Sequence, residues 1–398
     1  MDRRAFLTSA VAAGAWLAAG PRAAAAGVVA EIDRALADSA RSLVAAQAPD
    51  GAWRSSTYGL LKDGLSLTPP VLKALAFGPE VPGLAAARRR GAAYLIGRVR
   101  ADGTIDDGPP GVLYPAYTAA LAAIALDRIA EPGARAARDA WLRDLRRRQL
   151  AEPLGWGPSD PAYGGWGYTS GPPRRPAGAD APPADANLSA TLFAVGALRL
   201  GGAEADDPAI RAASAFVRRC QNYPEDGRAA DPSFDDGGFL FSPTDPGRNK
   251  AGIAGVDRRG RVRFASYGSM TADGLRALLR CGLPPDSPRV LAARRWLERT
   301  FSTAHNPGRF EPIREVERDA SFFYYAWSLA HAFRALGLAR IDGGRTSWGD
   351  ALARALIRRQ RPDGTWSNAF TATKEDDPLV ATPMAAGALG SCRLMLAT

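Results

Sequence analysis

The sequence of 398 residues contains few of the side chains that build metal sites and disulfide frameworks. It has two histidines and three cysteines, and Cys220, Cys281 and Cys392 are widely spaced. No cysteine pair or histidine pair has the spacing of a zinc site, and three distant cysteines define no disulfide framework. We therefore expect free, buried cysteines, a core position for His331, and neither a metal nor another cofactor.

Lysine is also scarce, with four residues among 51 basic side chains, so arginine carries most of the positive charge. The formal charge of +10 could suit nucleic acid or an anionic surface. The arginines are scattered along the chain, however, and we predict no nucleic-acid partner. A content of 46% hydrophobic and 23% charged residues is typical of a globular protein and names no activity.

The first 26 residues have the pattern of a targeting segment. Residues 3–7 read Arg-Arg-Ala-Phe-Leu, an apolar stretch follows over 7–20, and small residues follow at 23–26. This apolar stretch is too short to span a membrane as a helix. The segment resembles a twin-arginine export signal, with an ordinary secretory peptide as the alternative. We predict that residues 1–26 are removed and that the mature chain is exported, to the periplasm or outside the cell.

Two kinds of helical segment alternate along the rest of the chain. Amphipathic segments with arginines on one face are predicted at 32–47, 85–99, 136–149, 208–221, 288–301 and 348–360. Segments that are apolar on nearly all sides are predicted at 67–77, 117–126, 188–200, 267–281, 322–336 and 378–394. Amphipathic helices belong outside and apolar helices inside. Six outer–inner pairs bury all the inner helices when the array closes, so we predict an all-α fold, a single α/α toroid over residues 27–398.

The links between these helices are asymmetric. Links from inner to outer helices are short, whereas links from outer to inner helices are long and rich in Gly, Trp, Tyr and Asp. All long links must emerge beside the N-termini of the inner helices, where unpaired N–H groups favour acidic or polar groups. The sequence therefore predicts a functional mouth on this side, with a small β-hairpin at 255–264 in one long link.

A repeated motif ends several outer helices. Gln-x-Pro-Asp-Gly-x-Trp occurs at residues 47–53 and 360–366, with weaker copies at 100–105, 149–168 and 221–239. These repeats resemble the Gln–Trp repeats of squalene and oxidosqualene cyclases and those of protein prenyltransferase β-subunits. The resemblance covers about residues 28–398 and implies the α/α toroid fold. The motif itself has a scaffold role, because Asp-Gly forms a turn and Trp packs against helices.

The resemblance implies two activities, and the sequence lacks the central motif of each. A protein prenyltransferase would need a zinc triad of Asp, Cys and His, which is absent. A triterpene cyclase uses an Asp-x-Asp-Asp run before an inner helix, where one carboxylic acid donates the proton. The nearest counterpart spans residues 185–191 and has Asn187 in the place of the donor.

Two other acidic runs could replace the missing proton donor. Asp376 and Asp377 precede the last inner helix, and Asp235 and Asp236 lie in the link before the fourth. Each pair also has a structural interpretation, since acids favour helix N-termini and turns. We take these four aspartates as candidate catalytic acids, with capping and turn formation as the competing roles.

Aromatic residues cluster in the long links and at the starts of inner helices. Such side chains stabilise carbocations in cyclases and stack on sugars in carbohydrate-binding clefts. The candidate ligand-binding residues are Tyr117, Trp166, Tyr168, Tyr267, Tyr324 and Tyr325.

Two functional hypotheses follow for this exported chain. One is a terpenoid cyclase-like protein, an isomerase or lyase if it is catalytic, that binds or cyclises an isoprenoid in a central aromatic-lined cavity. The other is a non-catalytic or glycan-directed toroid of the cell envelope that binds carbohydrate or peptide at an aromatic rim. The expected ligand is thus a hydrophobic small molecule or a glycan.

Overall fold

A computed structural model describes residues 21–106, 108, 114–176, 185–224 and 228–397. The outer helices are α1 (Pro21–Ala45), α3 (Leu84–Ile96), α5 (Ala134–Arg147), α7 (Pro208–Arg219), α9 (Pro288–Arg299) and α12 (Trp348–Ile357). The inner helices are α2 (Thr68–Ala74), α4 (Pro115–Leu126), α6 (Leu188–Leu200), α8 (Gly268–Arg280), α11 (Phe322–Ala335) and α13 (Pro378–Leu396). All twelve predicted helices are present in the predicted order.

The inner helices form a closed ring. Each contacts the next in the order α2, α4, α6, α8, α11 and α13, and α13 contacts α2 again. The outer helix α1 likewise contacts both α3 and α12, so the first and last parts of the chain meet. The predicted all-α toroid is therefore confirmed.

Two details differ from the predicted segments, and a third agrees with them. Helix α1 begins at Pro21, within the predicted targeting segment, whereas residues 1–20 lie outside the described residues. A short helix α10 (Glu315–Ala320), which the sequence patterns did not predict, precedes α11. The predicted hairpin is present as strands β1 (Ile253–Val256) and β2 (Val262–Phe264), which pair antiparallel.

The glutamine of the repeat joins neighbouring outer helices. In four copies its Nε2 donates to two backbone carbonyls at 2.8–3.1 Å, one in its own link and one in the next outer helix. Gln47 reaches Ala87 of α3 in this way, and Gln360 reaches Ala35 of α1. The second of these bonds ties the last outer helix to the first and so helps to close the ring.

The tryptophan of the repeat fixes the link to the helix that precedes it. The indole N–H groups of Trp53, Trp166 and Trp366 donate at 2.7–2.8 Å to carbonyl oxygens in the last turn of their outer helices, where the regular helical hydrogen bonding ends. The backbone N–H of each Trp donates to a threonine hydroxyl on the following inner helix. Each repeat thereby holds an outer helix, a link and an inner helix in one arrangement.

The predicted burial of the cysteines and of His331 is confirmed. Cys220, Cys281 and Cys392 are free and buried, and His331 is buried on α11. Among the residues that the structure covers, α13 is the one helix with the length and apolar composition of a membrane span, and 61% of it is buried in the ring. Its apolar character is explained by its inner position.

The glycine of the repeat is required for close packing as well as for its turn. A Cβ on Gly164 (φ +85°) would lie 1.9 Å from the carbonyl oxygen of Ala212 in α7, whereas one on Gly202 (φ +95°) would meet nothing within 4 Å. We expect Gly202→Ala to cost about 1 kcal/mol through its backbone alone. Gly164→Ala should cost about 3 kcal/mol or more, because α7 must also move. Urea unfolding followed by circular dichroism measures both, and equal losses would contradict this packing role.

Candidate functional site

A central cavity of about 340 Å³ lies within the ring and is mostly apolar. Side chains of α2, α4, α6, α8, α11 and α13 line it, together with residues of the long links. The link residues in this lining include Tyr114, Tyr168, Phe241 and Glu375. The long links thus contribute to the site at the side on which the inner helices begin.

Aromatic rings form one wall of this cavity. Tyr117 of α4 stacks on Tyr168 with the ring centroids 5.9 Å apart, and Tyr114 meets Tyr168 edge-on at 5.3 Å. Phe193 of α6 stacks on Trp327 of α11 at 5.3 Å with nearly parallel planes. Burial raises the pKa of Tyr117 and of Tyr168, so both phenols remain neutral. The wall presents π-faces to any ligand in the ring.

Glu375 supplies a carboxyl group to the cavity. Its side-chain oxygens accept hydrogen bonds from the backbone N–H groups of Phe323 (2.9 Å) and Tyr324 (2.8 Å), in the first turn of α11. The side-chain amide of Asn368 donates a third bond at 3.2 Å. Burial raises the pKa of Glu375 to about 7 in spite of these bonds. The group can therefore donate or accept a proton near neutral pH.

A second buried carboxylate lies behind the wall. Asp273 of α8 accepts hydrogen bonds from the hydroxyls of Ser189 (2.9 Å), Tyr324 (2.7 Å) and Ser328. The guanidinium of Arg276 lies 3.5 Å away. Burial raises the pKa of Asp273, and the charge of Arg276 opposes that rise. Because Ser189 and Tyr324 line the cavity, Asp273 orients two hydroxyls that face a ligand.

Lysine, so rare in the chain, is concentrated at this cavity. Lys73, Lys250 and Lys374 line it, whereas Lys62 is exposed elsewhere. Lys250 pairs with Glu317 at 2.7 Å, and Lys374 lies 3.3 Å from the Tyr114 hydroxyl. The site therefore combines an apolar body with one acid and three amines among its described lining residues.

The candidate acids Asp376 and Asp377 lie beside the cavity and do not line it. Asp377 caps α13 by accepting from the backbone N–H of Leu379 at 2.8 Å, and its other oxygen accepts from the Ser55 hydroxyl. Asp376 accepts from the Tyr58 hydroxyl at 2.6 Å. Each carboxylate thus has a structural partner, which favours the capping interpretation. Their role as proton donors stays a prediction.

The other candidate pair lies in the link before α8, also away from the cavity lining. Asp236 accepts from Ser266 (2.7 Å), from the Trp296 indole (3.0 Å) and from a backbone N–H. Asp235 pairs with Arg263 of β2 at 2.8 Å. These contacts hold the hairpin and α9 against the link. They favour a structural role, and the catalytic assignment of this pair also stays a prediction.

The structure brings four of the six candidate aromatic residues together. Tyr117, Tyr168, Tyr267 and Tyr324 line the cavity. Trp166 is fully buried as the tryptophan of its repeat, and the Tyr325 hydroxyl contacts the backbone N–H of Ser302 at 3.3 Å.

Sequence reasoning missed Glu375, Asp273 and Lys73. Glu375 stands in the same acidic run as Asp376 and Asp377, and the signal that could have separated them is Pro378. Proline at the first position of a helix makes the preceding Asp377 its cap. Asp273 and Lys73 carried a signal of another kind, since each is a charged residue within a segment that is otherwise largely apolar.

Comparison with known proteins identifies the fold class. No protein-family model matches the sequence, and no curated protein matches it either. The chain is an α/α toroid, and solved structures of low sequence identity share its fold.

Three solved structures illustrate this likeness. A protein from Actinoplanes is 18% identical, with 92% of this chain and 100% of that chain covered and a TM-score of 0.50. A variant of the type II terpene cyclase MstE from Scytonema, in complex with its product merosterolic acid A, is 14% identical over 93% and 99% of the two chains, with a TM-score of 0.54. An unsaturated glucuronyl hydrolase specific for heparin is 13% identical over 93% and 96%, with a TM-score of 0.57. At these identities the likeness shows the fold alone.

The raised pKa of Glu375 predicts a pH-dependent stability. The folded chain keeps this proton up to about pH 7, whereas an ordinary glutamate loses it near 4.5. The stabilising contribution is therefore full at low pH and is lost as the pH rises through 7. Between pH 5 and pH 8 the loss is on the order of 2 to 3 kcal/mol.

Glu375→Gln should remove this part of the pH dependence, because glutamine does not titrate. The measurement is the unfolding free energy of both proteins at pH 5 and pH 8, with Glu204→Gln at an exposed position as the control. A variant that keeps the full wild-type slope would show that Glu375 is already ionised at pH 5.

Proposed function

We propose that the central cavity binds an isoprenoid-like molecule and that Glu375 is the acid–base group of this site. The observation that carries the proposal is the combination of an aromatic, mostly apolar cavity with a single carboxyl group among its described lining residues. Pockets of this composition bind apolar small molecules and use a few polar groups to orient them. The related fold of MstE has been solved with its substrate, geranylgeranyl dihydroxybenzoate.

The aromatic wall supports this ligand class. The faces of Tyr117, Tyr168 and Trp327 carry negative π-density, which attracts cations and stacks on unsaturated chains. Their hydroxyl and indole groups provide few of the hydrogen-bond donors and acceptors that the hydroxyl groups of a sugar require.

The number of carboxylates argues against two-carboxylate glycoside hydrolysis. That reaction needs two carboxyl groups flanking the bond, about 5 to 9.5 Å apart. Within the part of the lining that the structure describes, Glu375 is the one carboxylate. A glycan-directed activity is therefore the second hypothesis, and the test below includes it.

The acid strength of Glu375 indicates which step it can catalyse. With a pKa of about 7 it is a weak acid, suited to proton exchange at neutral pH. Protonation of an isolated alkene needs a much stronger acid. We infer chemistry at an activated group of the isoprenoid, such as an epoxide, an allylic alcohol or a carbonyl compound.

The binding test compares two tyrosine variants. Tyr168 lines the cavity, whereas the Tyr163 hydroxyl bonds to Glu152 outside it. We expect Tyr168→Ala to weaken binding of geranylgeraniol by about tenfold or more through lost apolar contact, and Tyr163→Ala to leave it unchanged. Titration by calorimetry measures both. No geranylgeraniol binding, together with binding of a heparin-derived unsaturated disaccharide, would replace the proposal by the glycan hypothesis.

The role of Glu375 as the acid is tested by measuring turnover of the protein's own ligand. Organic extraction and mass spectrometry of the purified protein identify a co-purifying isoprenoid, which is then offered as substrate. We expect Glu375→Gln to keep the affinity and lose turnover by about 100-fold or more. Asp376→Asn changes the next residue in the sequence and is the matched control, for which we expect turnover to be kept. Loss of turnover in the Asp376 variant with full activity in the Glu375 variant would move the acid to Asp376.

Export is part of the proposed function. The paired arginines of residues 3–7 support a twin-arginine route to the periplasm or the medium. We expect the double change Arg3→Lys and Arg4→Lys to retain the chain inside the cell, with changes at Arg34 and Arg41 as the control. Fractionation with immunoblotting measures the distribution, and equal export of both variants would contradict this signal.

A further inference from the structure

Lys73 differs from the other two lysines of the cavity in having no polar partner. It belongs to α2, and its Nζ lies 4.6 Å from the ring centroid of Trp327. Within the described residues Nζ forms neither an ion pair nor a hydrogen bond. Lys250 and Lys374, by contrast, contact Glu317 and the Tyr114 hydroxyl. Lys73 is partly buried, and an amine that is partly shielded from water without an acid beside it is costlier to keep charged than an exposed one.

The surroundings of Lys73 add positive charge. The neighbouring charged groups are Arg128, Arg276, Arg280 and Arg334. Asp273 is the carboxylate of this region, and three hydroxyls and Arg276 already engage it. Burial and these guanidinium groups hold the pKa of Lys73 well below its ordinary value. A lowered pKa increases the fraction of the amine that is neutral, and the neutral amine is the nucleophilic form.

His331 adds an uncharged base to the same region. Its ring centroid lies 4.8 Å from that of Trp327, and its Nδ1 lies 2.8 Å from the Trp327 carbonyl oxygen. Burial, together with the positive charge of Arg276, holds the pKa of His331 well below its ordinary value, so the ring is neutral. A carbonyl oxygen can only accept, so Nδ1 carries the proton. Nε2 then keeps a lone pair, and this buried atom has no partner among the described residues.

We propose that Lys73 is a nucleophilic amine that forms an imine with an aldehyde or ketone held in the central cavity. Three observations support this: Lys73 lines the cavity, its Nζ has no polar partner among the described residues, and arginine is used almost everywhere else in the chain. Arginine cannot lose its proton under physiological conditions, whereas lysine can. The inference deepens the proposed function, because it assigns a carbonyl group to the isoprenoid-like ligand.

The reaction needs no oxidant or reductant. The lone pair of Nζ attacks the carbonyl carbon, and the π-electrons of the C=O bond move to oxygen. Both hydrogens of the amine are transferred to that oxygen, which leaves as water while the C=N bond forms. Once protonated, the imine is a cation beside the face of Trp327, where a cation–π contact stabilises it.

The test uses citronellal and citronellol, which share one isoprenoid chain and differ in the carbonyl group. Citronellal is added to the protein at pH 7 with sodium cyanoborohydride, which reduces an imine to a stable secondary amine. Mass spectrometry of the intact chain and of its peptides locates the adduct. We expect Lys73 to carry it at least tenfold more often than Lys62, which is exposed and lies outside the cavity lining.

Matched variants separate labelling at Lys73 from labelling at other lysines. Lys73→Arg keeps a long basic side chain that cannot form an imine and should lose at least nine-tenths of the labelling, whereas Lys62→Arg, at an exposed position outside the cavity lining, should keep it. Lys73→Met is the second variant, and circular dichroism checks that each is folded. Undiminished labelling in a folded Lys73 variant, or labelling spread evenly over the lysines, would overturn the proposal.

Binding of citronellol separates the two proposals. Citronellol binding without a citronellal adduct on Lys73 would leave the cavity as an isoprenoid site and remove the imine, so that Lys73 would only pack on Trp327. Absence of binding by both compounds, with no adduct, would contradict the ligand class itself.

Discussion

The hydrogen bonds of the repeat glutamines are the interactions on which the rest of the structure depends. Six inner helices that are apolar on nearly all sides are stable only when every one has two inner neighbours, which a closed ring provides. The glutamine amide sets the spacing of successive outer helices, and the bond from Gln360 to Ala35 joins the two ends of the series. A cavity on the ring axis follows from this closure, because six helices leave space that their small side chains do not fill.

The ring also explains the electrostatics of the cavity. The inner helices begin on the side of the long links, so their free N–H groups are directed there. Glu375 uses two of them on α11, and burial then keeps its pKa near neutrality. Trp327 lies one helical turn further along α11, where Lys73, Arg276 and His331 surround it. One cavity thus has an acid near its mouth and a basic region deeper inside.

The sequence predicted much of the fold and less of the site, for physical reasons. Helix type follows from local periodicity, and the Gln–Trp repeats mark the ends of outer helices, so the alternating ring could be predicted. The site depends on which side chains of distant links converge. Asp376 and Glu375 are adjacent in sequence, yet the turn before α13 directs one to Tyr58 and the other to the backbone of α11. No local pattern distinguishes these two outcomes. The lack of an ion pair at Lys73 within the described part of the chain is likewise a property of the assembled ring.

The acid and the amine of the cavity are chemically compatible. A carboxyl group with a pKa of about 7 is too weak to protonate a plain alkene, but it exchanges protons readily at activated positions. Conversion of a carbonyl group to an iminium ion makes the hydrogens on the adjacent carbon more acidic, and this is the kind of position that a base of moderate strength can deprotonate. An aromatic wall stabilises the cationic form of the same intermediate. Under the proposed function the toroid needs no strong acid to act on an isoprenoid-like ligand. Asn187, at the position where a cyclase has its proton donor, instead caps α6 by accepting from the backbone N–H of Ala190 at 2.8 Å.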